Sequence, residues 1–429
     1  VRVVWVVAAV GLGCGRWRFD PVRGGDAPGG DASGEGDTSG PALRCGTIEI
    51  LADDFQSTTK APAWNTYAYN GTSLAQGGGE LVATMVPTGG AGAYAGYSSY
   101  HTMDLRDARF YVHVTQVLST ATRGVTRFQA TPDINNNITI LEAAGVLYAL
   151  TNTAGTVVNV GSTPYDATAD AWWQLREAQG TVYFETSPDG QTFTAFANTP
   201  TPAFAASARI DLSAGTDRPE TNPGASHFAS LNGGTPAGQW CPASMLADNF
   251  NSGVFAPEWG NSYSPNGSTY TESSGSVTFG LPGSAVVETA LASAMAYDLS
   301  ESAIITQIQT VPAVNTCNAF LRASTTSNDF IMFTANLTSL TCLHGAGGSQ
   351  QQVCQVPFDP VAHKLWRLRG TGGTVYWETS PDGTTWTTQY SEPAAIALDA
   401  LGIGVGAREN AVVGSAQVAV FDTFNQLPP

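Results

Sequence analysis

A ten-residue stretch of this chain occurs twice, and its spacing dictates the architecture. Thr181-Val182-Tyr183-Phe184-Glu185-Thr186-Ser187-Pro188-Asp189-Gly190 returns as Thr374-Val375-Tyr376-Trp377-Glu378-Thr379-Ser380-Pro381-Asp382-Gly383, 193 residues later. Upstream, Asp53 and Phe55 with Trp64 return as Asp248 and Phe250 with Trp259, 195 residues later. Solenoid repeats run ~20–50 residues, so a period this long marks a duplicated domain. The copies follow one another with almost no net insertion. Each is long enough to bury a core of its own.

Charged residues are 12% of the 429, against the usual ~25% of a globular chain. The net charge is −17, and the only lysines are Lys60 and Lys364. No basic patch is visible, so nucleic acid is excluded as a partner. Gly, Ser, Thr and Ala fill the gap, a composition common in secreted β-proteins.

The N-terminus reads as an address. Val3 to Leu12 is a short apolar run behind Arg2, and it ends Gly11-Leu12-Gly13-Cys14. It is too short to span a bilayer, which takes ~20 apolar residues. It has the form of a signal peptide over 1–13. The cysteine after Gly13 resembles a bacterial lipoprotein signal, which implies a lipid on Cys14 and a membrane partner through that lipid. An ordinary secretory signal is the alternative. Residues 14–44 are rich in Gly, Asp and Ser with few apolar side chains, which predicts a flexible tether. The expected location is the bacterial cell envelope, lipid-anchored at the outer membrane or cell surface, with secretion as the alternative.

An exported chain can keep disulfides. Cys45 and Cys241 stand at equivalent positions at the mouths of the two repeats, and a bond between them would staple the entrances together. Cys342 and Cys354 flank His344-Gly345-Ala346-Gly347-Gly348, a loop that would close a hairpin and set them opposite each other. Cys317 is left over. No Cys-x-x-Cys spacing exists and the histidines do not cluster, so zinc is not expected.

Strand signals dominate each copy. Phe110 to Val117 and Ile304 to Val311 alternate in polarity and carry Val, Ile, Phe and Tyr. In Ser187-Pro188-Asp189-Gly190, proline presets φ at the second turn position, aspartate suits the third and glycine the fourth. Helix-periodic stretches are nearly absent. The expected class is all-β: two tandem antiparallel jelly-roll β-sandwiches over 45–233 and 243–427, joined by a linker at 234–242.

Several residues make the copies resemble bacterial concanavalin A-like lectin/glucanase (LamG-like) domains. In the first they are Asp53, Asp54, Phe55, Trp64, Trp173, Leu175, Arg176 and Ser187 to Gly190. In the second they are Asp248, Phe250, Trp259, Trp366, Leu368, Arg369 and Ser380 to Trp386, with Phe421-Asp422-Thr423-Phe424 as a terminal strand. The first copy ends His227-Phe228-Ala229-Ser230 and lacks that aspartate. The resemblance implies the fold and leaves the activity open, since lectins, glycosidases and adhesive modules share it. It also implies a structural calcium as the one candidate cofactor, on Asp53, Asp248 and Asp422.

Glycoside hydrolysis needs two carboxylates flanking one bond. The Glu-x-Asp-x-x-Glu run of the glucanase branch is missing, and Asp189 belongs to its turn rather than to a pair with Glu185. No Gly-x-Ser-x-Gly or His-Glu-x-x-His motif occurs. No catalytic residue is therefore assigned. Trp64, Trp173, Trp259 and Trp366 read as core. If Val182 and Phe184 point inward, Tyr183 and Glu185 point outward beside Arg176, and the second copy repeats this with Arg369, Tyr376 and Glu378. Such a face could hold a sugar, or it could be a cross-strand ion pair beside a packed tyrosine. The expected function is a non-catalytic, surface-anchored lipoprotein whose two domains bind polysaccharide or glycan. A structural or protein-adhesive module is the alternative, and a glycoside hydrolase a remote third.

Overall fold

The computed structural model describes residues 44–426, except 87–91, 120–122 and 217–219. Cys14, the expected signal peptide and all but the end of the expected tether lie outside the described residues. Within them the chain is two antiparallel β-sandwiches in succession. Helix is confined to 3-10 turns of three or four residues, and no helix is long and apolar enough to cross a membrane.

Each sandwich packs a front sheet on a back sheet. The first front sheet runs Trp64–Ala68, Ala93–Ser99, Arg209–Thr216, Val125–Asp133, Asn136–Ala143, Val146–Thr153, Thr156–Pro164. Its back sheet runs Thr194–Pro200, Thr181–Ser187, Trp172–Ala178, Arg109–Gln116, Ala225–Ala229, Glu80–Thr84, Ser73–Gly77. The second front sheet runs Val287–Ala292, Gly402–Glu409, Cys317–Ser324, Phe330–Ala335, Ser339–Ala346, Ser349–Pro357. Its back sheet runs Thr269–Ser273, Ser276–Leu281, Gln417–Phe424, Ala303–Thr310, Leu365–Thr371, Thr374–Ser380, Thr387–Pro393.

Period-2 alternation puts Phe110, Phe128, Trp173, Leu175, Val182 and Phe184 into the first core, all fully buried. The second core holds Phe333, Trp366, Leu368, Val375, Trp377 and Phe421. The four tryptophans expected inside are inside. Trp173 Nε1 donates to Asp170 O and Trp366 Nε1 to His363 O, each three residues back. Burial therefore strands no indole donor.

The two expected disulfides are present. Cys45–Cys241 joins the entrances of the sandwiches, and Cys342–Cys354 bridges opposed positions of the hairpin between Ser339–Ala346 and Ser349–Pro357. Cys317 is free and buried. Further contacts join the sandwiches: Thr102 N donates to Ala294 O at 3.1 Å, and Arg209 Nη2 to Asn261 Oδ1 at 2.8 Å. The segment between them is held too, since Gly46 N donates to Gln239 O and Ala237 N to Glu49 O.

Candidate functional site

The duplicated Arg-Tyr-Glu sets form closed units on the outer faces of the back sheets. Arg176 stands opposite Tyr183 across the strand pair, and its guanidinium lies over the tyrosine ring at 4.2 Å. Arg176 Nη2 donates to Glu185 Oε1 at 2.6 Å, and Gln174 Nε2 donates to Glu185 Oε2 at 2.5 Å. Glu185 is 4% exposed. In the second copy Arg369 lies over Tyr376 at 4.0 Å and pairs with Glu378, which also takes Arg367 Nε at 2.6 Å. Those arginines hold Glu378 below the usual carboxylate range against the opposing effect of burial. Carboxylate and guanidinium are thus spent on each other, and one face of each tyrosine is covered. These sets brace neighbouring strands.

The paired Asp-x-Phe and Trp elements have an equally local use. Asp53 Oδ1 accepts the Phe55 amide at 2.8 Å, and Oδ2 accepts Trp64 Nε1 at 2.9 Å. Asp248 does the same with Phe250 and Trp259, both at 2.8 Å. Phe55 and Phe250 sit at φ 53° and 51°, a left-handed conformation costly for an aromatic residue. The aspartate holds that bend and orients the indole into the core. Asp422 accepts Gln307 Nε2, Gln309 Nε2 and the Thr423 amide. The three carboxylates considered for calcium thus have amide or indole partners. No group of three or more metal-ligating side chains occurs among the described residues.

Asp189 is a turn residue in fact as in expectation. Its Oδ1 accepts the Gln191 and Thr192 amides, and these bonds with Ser187 hold its pKa down to about 2. Asp382 repeats this.

The front face of the first sandwich carries a different kind of site, one the sequence reading missed. Asp211 is 4% exposed and accepts three donors: the Tyr67 hydroxyl at 2.9 Å, Ser213 Oγ at 2.8 Å and Gln129 Nε2 at 3.1 Å. Burial raises its pKa, against those bonds. Thr139 Oγ1 donates to Gln129 Oε1 at 3.1 Å and so fixes the amide. Beside this network, Tyr67 stacks on Tyr69 at 5.8 Å, and Tyr69 meets Tyr94 at 6.4 Å. Arg127 lies over Tyr94 at 4.6 Å and donates to a tyrosine hydroxyl, that of Tyr94, at 3.0 Å. Tyr69 is 49% exposed.

Two glycines make this platform. A Cβ on Gly96 would stand 2.7 Å from the Tyr67 hydroxyl, and one on Gly215 would stand 1.9 Å from the Tyr94 ring. Both rings lie flat across strands that have no side chain there. Fixed polar groups beside flat aromatic surface suit a hydroxylated ligand with an apolar ring face. Among the outward residues of these strands, Asp211 is the buried carboxylate, while Asp133, at the end of Val125–Asp133, is exposed.

No family model matches this chain, and no characterised protein matches it in sequence. Solved structures similar to it include a beta-1,3-glucanase from Mycobacterium marinum, at 9% identity and TM-score 0.32 over 42% of this chain and 97% of that one. LamAcat from Zobellia galactanivorans is similar at 11% identity and TM-score 0.33 over 43% of this chain and 94% of that one. The CBM2 module of the evolved Dit of Lactobacillus casei BL23 phage J-1 is similar at 9% identity and TM-score 0.34 over 42% and 93%.

Proposed function

We propose that this protein is a non-catalytic carbohydrate-binding protein displayed on the bacterial envelope, with its glycan site on the front face of the first sandwich. The observation that carries the reading is the flush tyrosine platform over Gly96 and Gly215 beside the Asp211–Gln129–Thr139 network. A sugar ring offers C–H groups to an aromatic surface and hydroxyls to fixed donors and acceptors. The first need is met by Tyr69 and Tyr94. Gln129 and Arg127 stand next to them for the second. A single buried carboxylate, already holding three hydrogen bonds, supports binding over turnover. Lipid on Cys14 would place the domains outside the cell, and mass spectrometry of the mature N-terminus tests that part.

The binding test is a glycan array on the full chain, followed by calorimetry on its hits. Tyr69→Ala removes a half-exposed ring and is expected to weaken binding at least tenfold with little change in melting. Binding untouched by Tyr69→Ala, or no binding to any polysaccharide, would overturn the site. The latter result would favour an adhesive module. Release of reducing sugar would establish catalysis instead.

A further inference from the structure

The second sandwich carries an unbalanced cation cluster on the equivalent face. Glu288, Arg408 and Arg322 stand on three adjacent strands of its front sheet. Arg322 Nη1 donates to Glu288 Oε1 at 2.9 Å, and Nη2 donates to the Tyr263 hydroxyl at 3.1 Å. That hydroxyl itself bonds Glu288 Oε1. Arg322 also lies over the Phe320 ring at 5.0 Å, which fixes its plane. Its side chain is 23% exposed and that of Glu288 27%, so the cluster faces solvent.

Arg408 is the odd member. It is directly opposite Glu288 on one side and Asn318 on the other. It forms no ion pair among the described residues, and its Nε is buried with no hydrogen-bond partner. Burial lowers its pKa; the Glu288 charge opposes that and the Arg322 charge reinforces it. Two guanidiniums therefore stand near one carboxylate that pairs with Arg322 alone, in a protein of net charge −17. A partly buried, unsatisfied guanidinium is costly unless something pairs with it. Beside Arg322, which stands opposite Met332 and lies over Phe320, the half-buried rings of Tyr263 and Phe330 pack on Phe320, Met332 and Leu343 and form an apolar bed.

We propose that Arg408, with Arg322 and Tyr263, binds the carboxylate of an acidic glycan on the front face of the second sandwich. The planar guanidinium fork matches a carboxylate in two parallel bonds, and the ring bed takes the sugar face. The site shares the glycan class with the function proposed above but uses separate residues, so the two stand or fall separately.

Calorimetry on the full, disulfide-intact chain tests it. The probes are galacturonate, glucuronate and mannuronate oligosaccharides, the same oligosaccharides with reduced carboxyls, and sodium sulfate. At least one uronate is expected to bind tenfold or more tighter than its reduced form, and more weakly at high salt. Arg408→Gln should remove at least tenfold of that affinity, and Arg408→Lys should restore part of it. Tyr69→Ala should leave it unchanged. Arg408→Gln should melt no lower than wild type, because it removes an unpaired charge. Equal binding of uronate and reduced forms, no uronate binding at all, or unchanged affinity in Arg408→Gln would each overturn the proposal. Binding of sulfate alone would mark an adventitious ion only and overturn it too. The comparison of oligosaccharides on wild type holds whatever the variants do.

Discussion

The two front sheets share a frame and differ in almost every outward residue. Aligned by strand register, Asp211 and Ser213 of the first face correspond to Gly404 and Gly406 of the second. Arg127, Gln129 and Thr139 correspond to Phe320, Arg322 and Met332. One face is a polar network under tyrosines. The other is an apolar bed beside two arginines. The inward residues and the back-sheet Arg-Tyr-Glu sets, by contrast, are nearly interchangeable. A duplication can keep its braces and core while replacing one outer face, because outward side chains of a strand can vary without disturbing the packed side.

The comparison breaks first if the cores are not equivalent. Trp173→Ala and Trp366→Ala each empty a fully buried indole site and should each cost about 3–5 kcal/mol. Chemical denaturation measures both. A loss under about 1 kcal/mol at either tryptophan would show that the two frames are not alike.

A titrating group gives a sharper contrast of nearly similar size. Glu142 is fully buried; its Oε1 accepts the Gly145 amide at 2.8 Å while Oε2 has no partner among the described residues. Burial pushes its pKa from 4.5 up to about 7, against that hydrogen bond. Ala335, 193 residues on, faces the second core with a methyl group. Because the folded pKa is raised, the contribution of Glu142 is intact below pH 4.5 and is lost as pH rises through 7, by roughly 3 kcal/mol. Glu142→Gln should therefore match wild type in pH dependence below 4.5 and gain about that much relative stability above 7. Denaturation at pH 4, 6 and 8 checks it, and a gain independent of pH would rule the titration out.

The smallest effect separates the floors of the two faces. In Gly406→Ala the new methyl meets Thr289 O at 2.2 Å, a backbone atom that cannot swing aside. In Gly215→Ala it meets the Tyr94 ring, which can. Gly406→Ala should cost about 1–3 kcal/mol. Gly215→Ala should cost less stability and instead weaken glycan binding by displacing Tyr94. Thermal melting and calorimetry on the pair distinguish the cases.

The fold was legible because the duplication states it twice and inward positions repeat with period 2. The disulfides followed from equivalence of Cys45 with Cys241 and from the hairpin between Cys342 and Cys354. Residue roles were harder to read. Asp53 and Asp248 looked like oxygen ligands, but their partners are an amide two residues on and an indole eleven residues on. The Tyr67–Tyr94–Asp211 platform left little trace in the sequence. Tyr67 and Asp211 are 144 residues apart, and the ring reaches across because Gly96 lies between them in space. Asn232 and Asn425 were missed as well, though the 193-residue offset could have found them. Each holds the start of its sandwich through two backbone carbonyls, Ile48 and Leu51 for the first, Ala243 and Leu246 for the second.

The bond between Cys45 and Cys241 also fixes how the molecule carries load. Tension entering the described chain at residue 45 crosses a covalent bridge to residue 241 and continues into the second sandwich. The intervening residues, which hold the whole first sandwich, hang beside that line as a closed loop. A pull that would peel strands from the second sandwich leaves the first mechanically idle, so its tyrosine platform keeps its shape under traction that its neighbour must resist.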